Sequence, residues 1–261
     1  MPDATDRFVP QHLRVLLNTR YKEQEPFNPQ SPYEWAQRTL GIDRQSLARQ
    51  PLNRAQVRAI CLNGDDALDG YLTIMAWGMQ GVGKTGKKAI AAWRDGQTRI
   101  QQNINTLRAG QMSRAEAFEL FATRNPIAQL GPSYFTKILY FYAPEAPQGA
   151  DRYIMDTWTG KAINLLTGEH IVRIQGESAT PSNRSENYEV FCREVEALGA
   201  VANRQHPQAP LLNEHIERML FCQGAQRGKD RGPWRKHVHA KWPTERPLHR
   251  YNHGRILARM L

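Results

Sequence analysis

SRAEAFELFATRNPIAQLGPSYFTKILYFYA, residues 113–143, is the stretch on which the fold turns. It opens with Ser113 and, three residues on, Glu116, the capping-box pair that starts a helix. Apolar residues recur at helical spacing until Asn125-Pro126, where proline blocks continuation. IAQLGPS then reads as a tight turn and TKILYFYA as a second, apolar helix. A loop, PEAPQGADR, leads through the short run YIM to Asp156, which opens a further helix, TWTGKAINLL, closed by Gly168. The pattern is two helices joined by a hairpin, then an aspartate at the head of a third.

The flanking sequence is helical too. S31-PYEWAQRTLG carries an N-cap Ser, proline at the first helical position, a glutamate three residues after the Ser, and a closing Gly41. R54-AQVRAICL, residues 87–95, 97–109, 185–200 and 211–222 read as helices. Two runs are ambiguous. Y71-LTIMAW fits a strand or a buried helix, and HIVRIQ (170–175) fits a strand or a helix continuation. The expectation is a mainly α protein.

With 261 residues, 40% hydrophobic and 23% charged, the chain has enough material for a buried core. Apolar runs fall short of the roughly 18 residues a membrane helix needs. The N-terminal MPDATDRFVPQHL lacks a signal-peptide apolar region, so a cytoplasmic location without membrane attachment is expected. Cys61, Cys192 and Cys222 are few and scattered, which suits small buried hydrophobes rather than disulfides or a metal cluster.

The net charge of +10 is unevenly spread. Residues 223–261 hold ten Lys/Arg against Asp230 and Glu245, together with Trp234, Trp242, Tyr251 and four His. Cations interleaved with aromatics suit a polyanion that carries flat bases. The same aromatics equally suit a segment that packs on the rest of the protein.

GMQGVGKT, residues 78–85, matches the phosphate-binding loop G-x-x-x-x-G-K-[ST] letter for letter. In such a loop backbone amides cradle phosphates, the lysine reaches the β/γ-phosphates and the hydroxyl holds Mg²⁺. That arrangement needs a strand before it, a helix after it and a parallel sheet around it. A helical chain predicts instead a glycine-rich turn between helices that presents Lys84, Lys87 and Lys88 to phosphates.

A76-WG, G131-PSYFTKILYF and the Asp156 helix together resemble the HhH-GPD superfamily of DNA glycosylases. More particularly they resemble the bacterial 8-oxoguanine glycosylase OGG-fold family, loosely over residues 60–222. The resemblance implies a helix-hairpin-helix bundle over 1–222, its hairpin and active site at about 113–168, with 223–261 as a basic C-terminal tail. It implies that double-stranded DNA with a damaged base, 8-oxoguanine first, is the substrate. It implies that a lysine attacks the sugar C1′, forms a Schiff base and cleaves the strand by β-elimination, without metal or organic cofactor. An aspartate about 19 residues later assists, and Lys137 and Asp156 are 19 apart. Lys137 lies in the apolar run FTKILYF, where it either snorkels to the surface or sits in a pocket that favours the neutral, nucleophilic amine.

By the same resemblance Trp77 and Phe141 sandwich the extruded base. The hairpin residues Leu130, Gly131, Ser133 and Tyr134, with Lys84, Lys87 and the basic tail, hold DNA. The chain departs from the usual G-x-G-x-K hairpin: Gly131-Pro132-Ser133 stands there, Phe135 occupies the lysine position, and Lys137 follows two residues later. Two rivals remain, a catalytically silent DNA-binding module of the same fold and a nucleotide-binding protein acting through 78–85.

Overall fold

The computed structural model describes residues 4–19, 30–78, 84–110, 112–143, 151–176, 178–222 and 232–247, without the side chains of Lys84, Thr85 and Cys222. Among these residues it is mainly helical, with eleven α-helices and one two-stranded ribbon. The chain forms two compact units. One is Gln24–Arg152; the other joins Met1–Glu23 to Tyr153–Leu261.

The unit Gln24–Arg152 holds α2 (Pro32–Leu40), α3 (Arg54–Asn63), α4 (Ala67–Gly78), α5 (Lys84–Ala109), α6 (Arg114–Glu119) and α7 (Pro132–Phe141). Local signals set several ends. Ser31 accepts from the Glu34 amide and Gly41 closes α2 at φ +70°. Asn53 and Gln56 form a reciprocal cap on α3, as Ser113 and Glu116 do on α6. The Ser113 bonds hold the Glu116 carboxyl below the usual carboxylate range.

The ambiguous YLTIMAW run is the helix α4. Every residue from Gly70 to Ala76 is buried, because α4 packs against α2, α3, α5 and α7. A helix enclosed on all sides loses its polar stripe and with it the helical period. The two helices predicted at 87–95 and 97–109 are one helix, α5, which runs straight through Gly96. A Cβ there would lie 2.7 Å from Ile127 Cγ2. Gly96 is thus a close-packing position rather than a break.

After α6 a π turn over Leu120–Arg124 widens the backbone into the hairpin. Asn103 and Asn125 clasp its start with bonds of 2.8 and 3.0 Å. Gln129 takes φ +67°, the left-handed turn residue, and the Leu130 amide closes on the Ile127 carbonyl at 3.1 Å. The second helix of the pair begins at Pro132, earlier than TKILYFYA suggests, because proline is suited to the first helical position.

The other unit holds α1 (Pro10–Leu17), α8 (Thr157–Thr167), the antiparallel ribbon β1 (Ile174–Gln175) and β2 (Ser178–Ala179), α9 (Ser185–Gln205), α10 (Asn213–Cys222) and α11 (Gly232–Glu245). Only Ile174–Gln175 of HIVRIQ is strand. The preceding Val172 is tied to Asn164 of α8 at both its amide and its carbonyl, at 2.9 and 2.8 Å. The described part of the basic stretch is packed helix: Trp234 and Val238 of α11 are buried, and the Trp234 indole donates to the Leu220 carbonyl at 3.2 Å. Cys61 and Cys192 are buried and form no disulfide, and burial pushes the Cys61 thiol up to about 12, as suits small buried hydrophobes.

A histidine pair fastens α11 to α1. His12 Nδ1 meets His237 Nε2 at 2.9 Å, and Glu245 reaches His12 at 3.3 Å, Gln11 at 3.0 Å and Lys241 at 2.6 Å. Burial is the chief cause that lowers both imidazoles below their ordinary value of about 6.5; Lys241 adds to this and Glu245 opposes it. The unfolded chain therefore takes up these protons first. Stability is full above the ordinary imidazole pKa and falls as pH drops through and below it. Thermal unfolding followed from about pH 7.5 to about 5.5 is expected to show a falling Tm. His237→Gln, which keeps a hydrogen-bonding group without titrating, is expected to flatten that slope.

Candidate active site

α7 starts without a side-chain cap. Its N-cap is Gly131, and proline occupies the first helical position. The first turn of a helix leaves amides unused by the helix itself, at its positive end. A Cβ built on Gly131 would meet nothing within 4 Å, so the backbone is approachable there. Leu130 beside it is buried, and what it can offer DNA is its backbone. Ser133 and Tyr134 occupy the first turn, half-buried.

One turn further on, Lys137 is only 7% exposed. Its Nζ donates to the Ser133 carbonyl and lies 5.6 Å from the centre of the Tyr134 ring. Gly78, the last residue of α4, closes over the stem: a Cβ there would sit 2.6 Å from Lys137 Cδ and 2.7 Å from Cε. The first glycine of GMQGVGKT therefore makes room for Lys137. Burial pushes the Tyr134 hydroxyl up, and burial together with Tyr134 does the same to Tyr71 on α4. The Tyr71 hydroxyl and Ser133 Oγ are buried without a hydrogen-bond partner among the described residues. These two buried hydroxyls keep hydrogen-bonding capacity that a water or a bound molecule could take up.

Trp77 and Phe141 are brought together, with ring centres 5.0 Å apart, but they meet edge to face at 83° rather than as the parallel walls of a sandwich. Phe141 is fully buried and Trp77 half-buried. Arg54 of α3 lies over Trp77 at 5.3 Å and over Tyr140 at 4.8 Å; Arg58, one helical turn on, lies over Tyr140 at 5.3 Å.

Asp156 belongs to the other unit. It caps α8, accepting from the Trp158 and Thr159 amides at 2.7 and 2.9 Å, both on Oδ1. Thr159 returns the bond by accepting from the Asp156 amide at 2.9 Å. The carboxylate is buried, fixed in direction, and its Oδ2 is not used by the cap.

The phosphate-loop match lacks its setting. α4, a helix, precedes it, and the strands among the described residues are β1 and β2, two residues each and antiparallel. Lys84 opens α5, with residues 79–83 and the Lys84 side chain outside the described residues; Lys87 is exposed on the first turns of that helix.

The chain matches, over residues 11–221, the family described as "Putative 8-oxoguanine DNA glycosylase OGG-like protein". It belongs to this family. No curated protein and no solved structure gives a match. Membership in the OGG-like family makes the protein a DNA-binding chain of glycosylase type, with a mainly α helix-hairpin-helix fold. The matched span covers Lys137 and Asp156 and ends before α11.

Sequence reasoning misses four residues around this site in this OGG-like chain. Gly78 reads as part of a phosphate loop, although its place next to Trp77 already puts it beside the expected pocket. Tyr71 carries no local signal. Arg54 and Arg58 are i, i+4 on one helical face, a pairing that marks a shared surface but not what it faces. Gly78 gives a direct test. Gly78→Ala places a methyl against a flexible lysine stem, so the fold is expected to survive while Nζ is displaced. Misplacement on this scale is expected to cut turnover by about 100-fold, with Tm close to wild type by calorimetry.

Proposed function

We propose that this protein is a bifunctional DNA glycosylase and β-lyase that removes an oxidised or modified purine, with 8-oxoguanine as the leading candidate. The observation that carries the reading is Lys137: a buried lysine beside the Tyr134 ring, one turn into the uncapped helix that follows the hairpin. Unspent amides at the head of α7 suit a DNA phosphate, with Gly131 letting it come close. Lys84 and Lys87 at the head of α5 would add salt-sensitive phosphate contacts.

The damaged nucleotide is extruded from the stack toward Lys137. The neutral amine attacks C1′ and the C1′–N bond breaks, its electron pair leaving with the base, which takes up a proton. The sugar ring opens to a Schiff base on Nζ. Loss of a proton from C2′ then expels the 3′ phosphate, and water releases the enzyme. Asp156, aimed by the α8 cap, stabilises positive charge on the sugar. Admitting a flat base between Trp77 and Phe141 requires their edge-to-face rings to part, and Trp77 is the less buried of the two.

Wild-type protein incubated with borohydride and a duplex carrying one 8-oxoguanine is expected to form a covalent protein–DNA band, absent with undamaged duplex. No band and no released base, on either an 8-oxoguanine or an abasic duplex, would leave a silent DNA-binding module in its place.

A further inference from the structure

Arg54 and Arg58 stand one turn apart on α3 and reach rings from two other helices. The Arg54 guanidinium lies 5.3 Å from the centre of the Trp77 ring and 4.8 Å from that of Tyr140. Arg58 lies 5.3 Å from Tyr140 and donates to the Ala143 carbonyl at 3.3 Å. Tyr140 is in turn 4.9 Å from Phe141, and Phe141 is 5.0 Å from Trp77. Arg54, Tyr140, Phe141 and Trp77 thus form one closed group of contacts inside the unit Gln24–Arg152. Two links tie the group to the reactive amine. Phe141 is one turn beyond Lys137 on α7, and Gly78, next to Trp77, packs on the Lys137 stem. Tyr140 and Phe141 are buried, whereas Arg54 and Trp77 are half-buried. The members with exposed surface are therefore a cation and a flat ring. Arg54 also opens α3, whose first turn holds no acid. A cation is disfavoured at the positive end of a helix, and the two rings offset this.

We infer that Arg54 selects the base: it reads the C6 edge of the purine taken up beside Trp77, donating to a carbonyl there and turning away an amino group. The substrate class is then a 6-oxopurine lesion, derived from guanine rather than adenine. Elementary chemistry gives the sign. A guanidinium has five N–H donors and no acceptor. Guanine-type bases place the acceptor O6 where adenine-type bases place the N6 amino donor. Against the carbonyl the guanidinium gains a charge-assisted hydrogen bond. Against the amino group two donors confront each other, and both go unpaired as water is excluded. The rings that hold Arg54 belong to the group against which a flat base would stack, so guanidinium and base edge come together. The inference rests on the glycosylase reading, with Trp77 and Phe141 as the base slot, and adds to it the side chain that chooses between purines.

Two readouts on the full chain test this, with duplexes carrying 8-oxoguanine, 8-oxohypoxanthine or 8-oxoadenine. One is single-turnover base release. The other is equilibrium binding to Lys137→Gln protein, which cannot form the covalent intermediate. All three lesions share the oxidised five-membered ring, and only the first two carry O6. The 6-oxo lesions are expected to be favoured over 8-oxoadenine by about tenfold or more. Arg54→Gln, which can donate and accept, is expected to bring that ratio close to one. Arg54→Lys, which only donates, is expected to keep its sign. Arg58→Gln is expected to leave the ratio unchanged. Equal losses on all three lesions in folded Arg54→Gln would overturn the inference and make Arg54 a phosphate contact or a packing group. So would 8-oxohypoxanthine behaving like 8-oxoadenine. Base release without any preference would overturn it and leave the glycosylase reading standing. A 6-oxo preference in binding that Arg54→Gln removes, with no base released by wild type, would support it while removing that reading.

Discussion

Lys137→Gln is expected to abolish borohydride trapping on both abasic and 8-oxoguanine duplexes. Duplex binding is expected to stay within about threefold of wild type, since Lys137 is buried and the exposed cations that attract phosphates are untouched. Glutamine keeps most of the stem that Gly78 and Tyr134 pack against, and its side-chain NH₂ can still donate toward the Ser133 carbonyl. What it lacks is an amine that can form a carbon–nitrogen double bond. A covalent mechanism therefore loses its intermediate entirely, a drop of about 1000-fold or more in strand cleavage. A variant that still traps at the wild-type level would move the nucleophile elsewhere. A variant that releases base but does not trap would make the protein a monofunctional glycosylase, with Lys137 assisting by charge.

Asp156 carries the second large effect, and two substitutions separate its roles. Asn and Asp are about equal as N-caps, so Asp156→Asn keeps α8 intact and removes only the charge. Losing a preorganised charge opposite a developing cation is expected to lower turnover by roughly 100-fold, or about 2.7 kcal/mol. Asp156→Ala loses the cap as well, at about 1 kcal/mol of stability. Equal activity in wild type and Asp156→Asn, with Asp156→Ala merely less stable, would make the residue a cap and nothing more. Single-turnover base release and thermal unfolding, measured side by side on the three proteins, give the answer.

Local chemistry makes the hairpin legible from the residues alone. Ser113 with Glu116, Pro126, Pro132 and the Asp156 cap act within four residues, and the helix ends fall where they stand. Legibility fails where distant packing decides. Gly96 looks like a helix break until Ile127 is seen pressed against it. YLTIMAW hides its period because neighbours cover every side. GMQGVGKT matches a pattern whose meaning lies in a strand that this fold replaces with α4. Resemblance pairs Trp77 with Phe141 across 64 positions, but their edge-on contact is set by the rings around them, Tyr140 among these at 4.9 Å from Phe141. Arg54 is invisible in sequence because its partners, Trp77 and Tyr140, come from two other helices. The basic stretch 223–261 is legible as charge, and only the burial of Trp234 tells that part of it is packed helix.

The order of units along the chain has a consequence for biosynthesis. Gln24–Arg152 is continuous, whereas its companion is assembled from both ends of the polypeptide, with α1 fastened to α11 through His12 and His237. A nascent chain leaving the ribosome can complete the Lys137 unit early. The unit around Asp156 must wait for α11, more than 200 residues after the segment it fastens, and loop closure over that span is slow. The unit that holds Lys137 is therefore complete before the unit that holds Asp156, which is closed only when translation of α11 is finished.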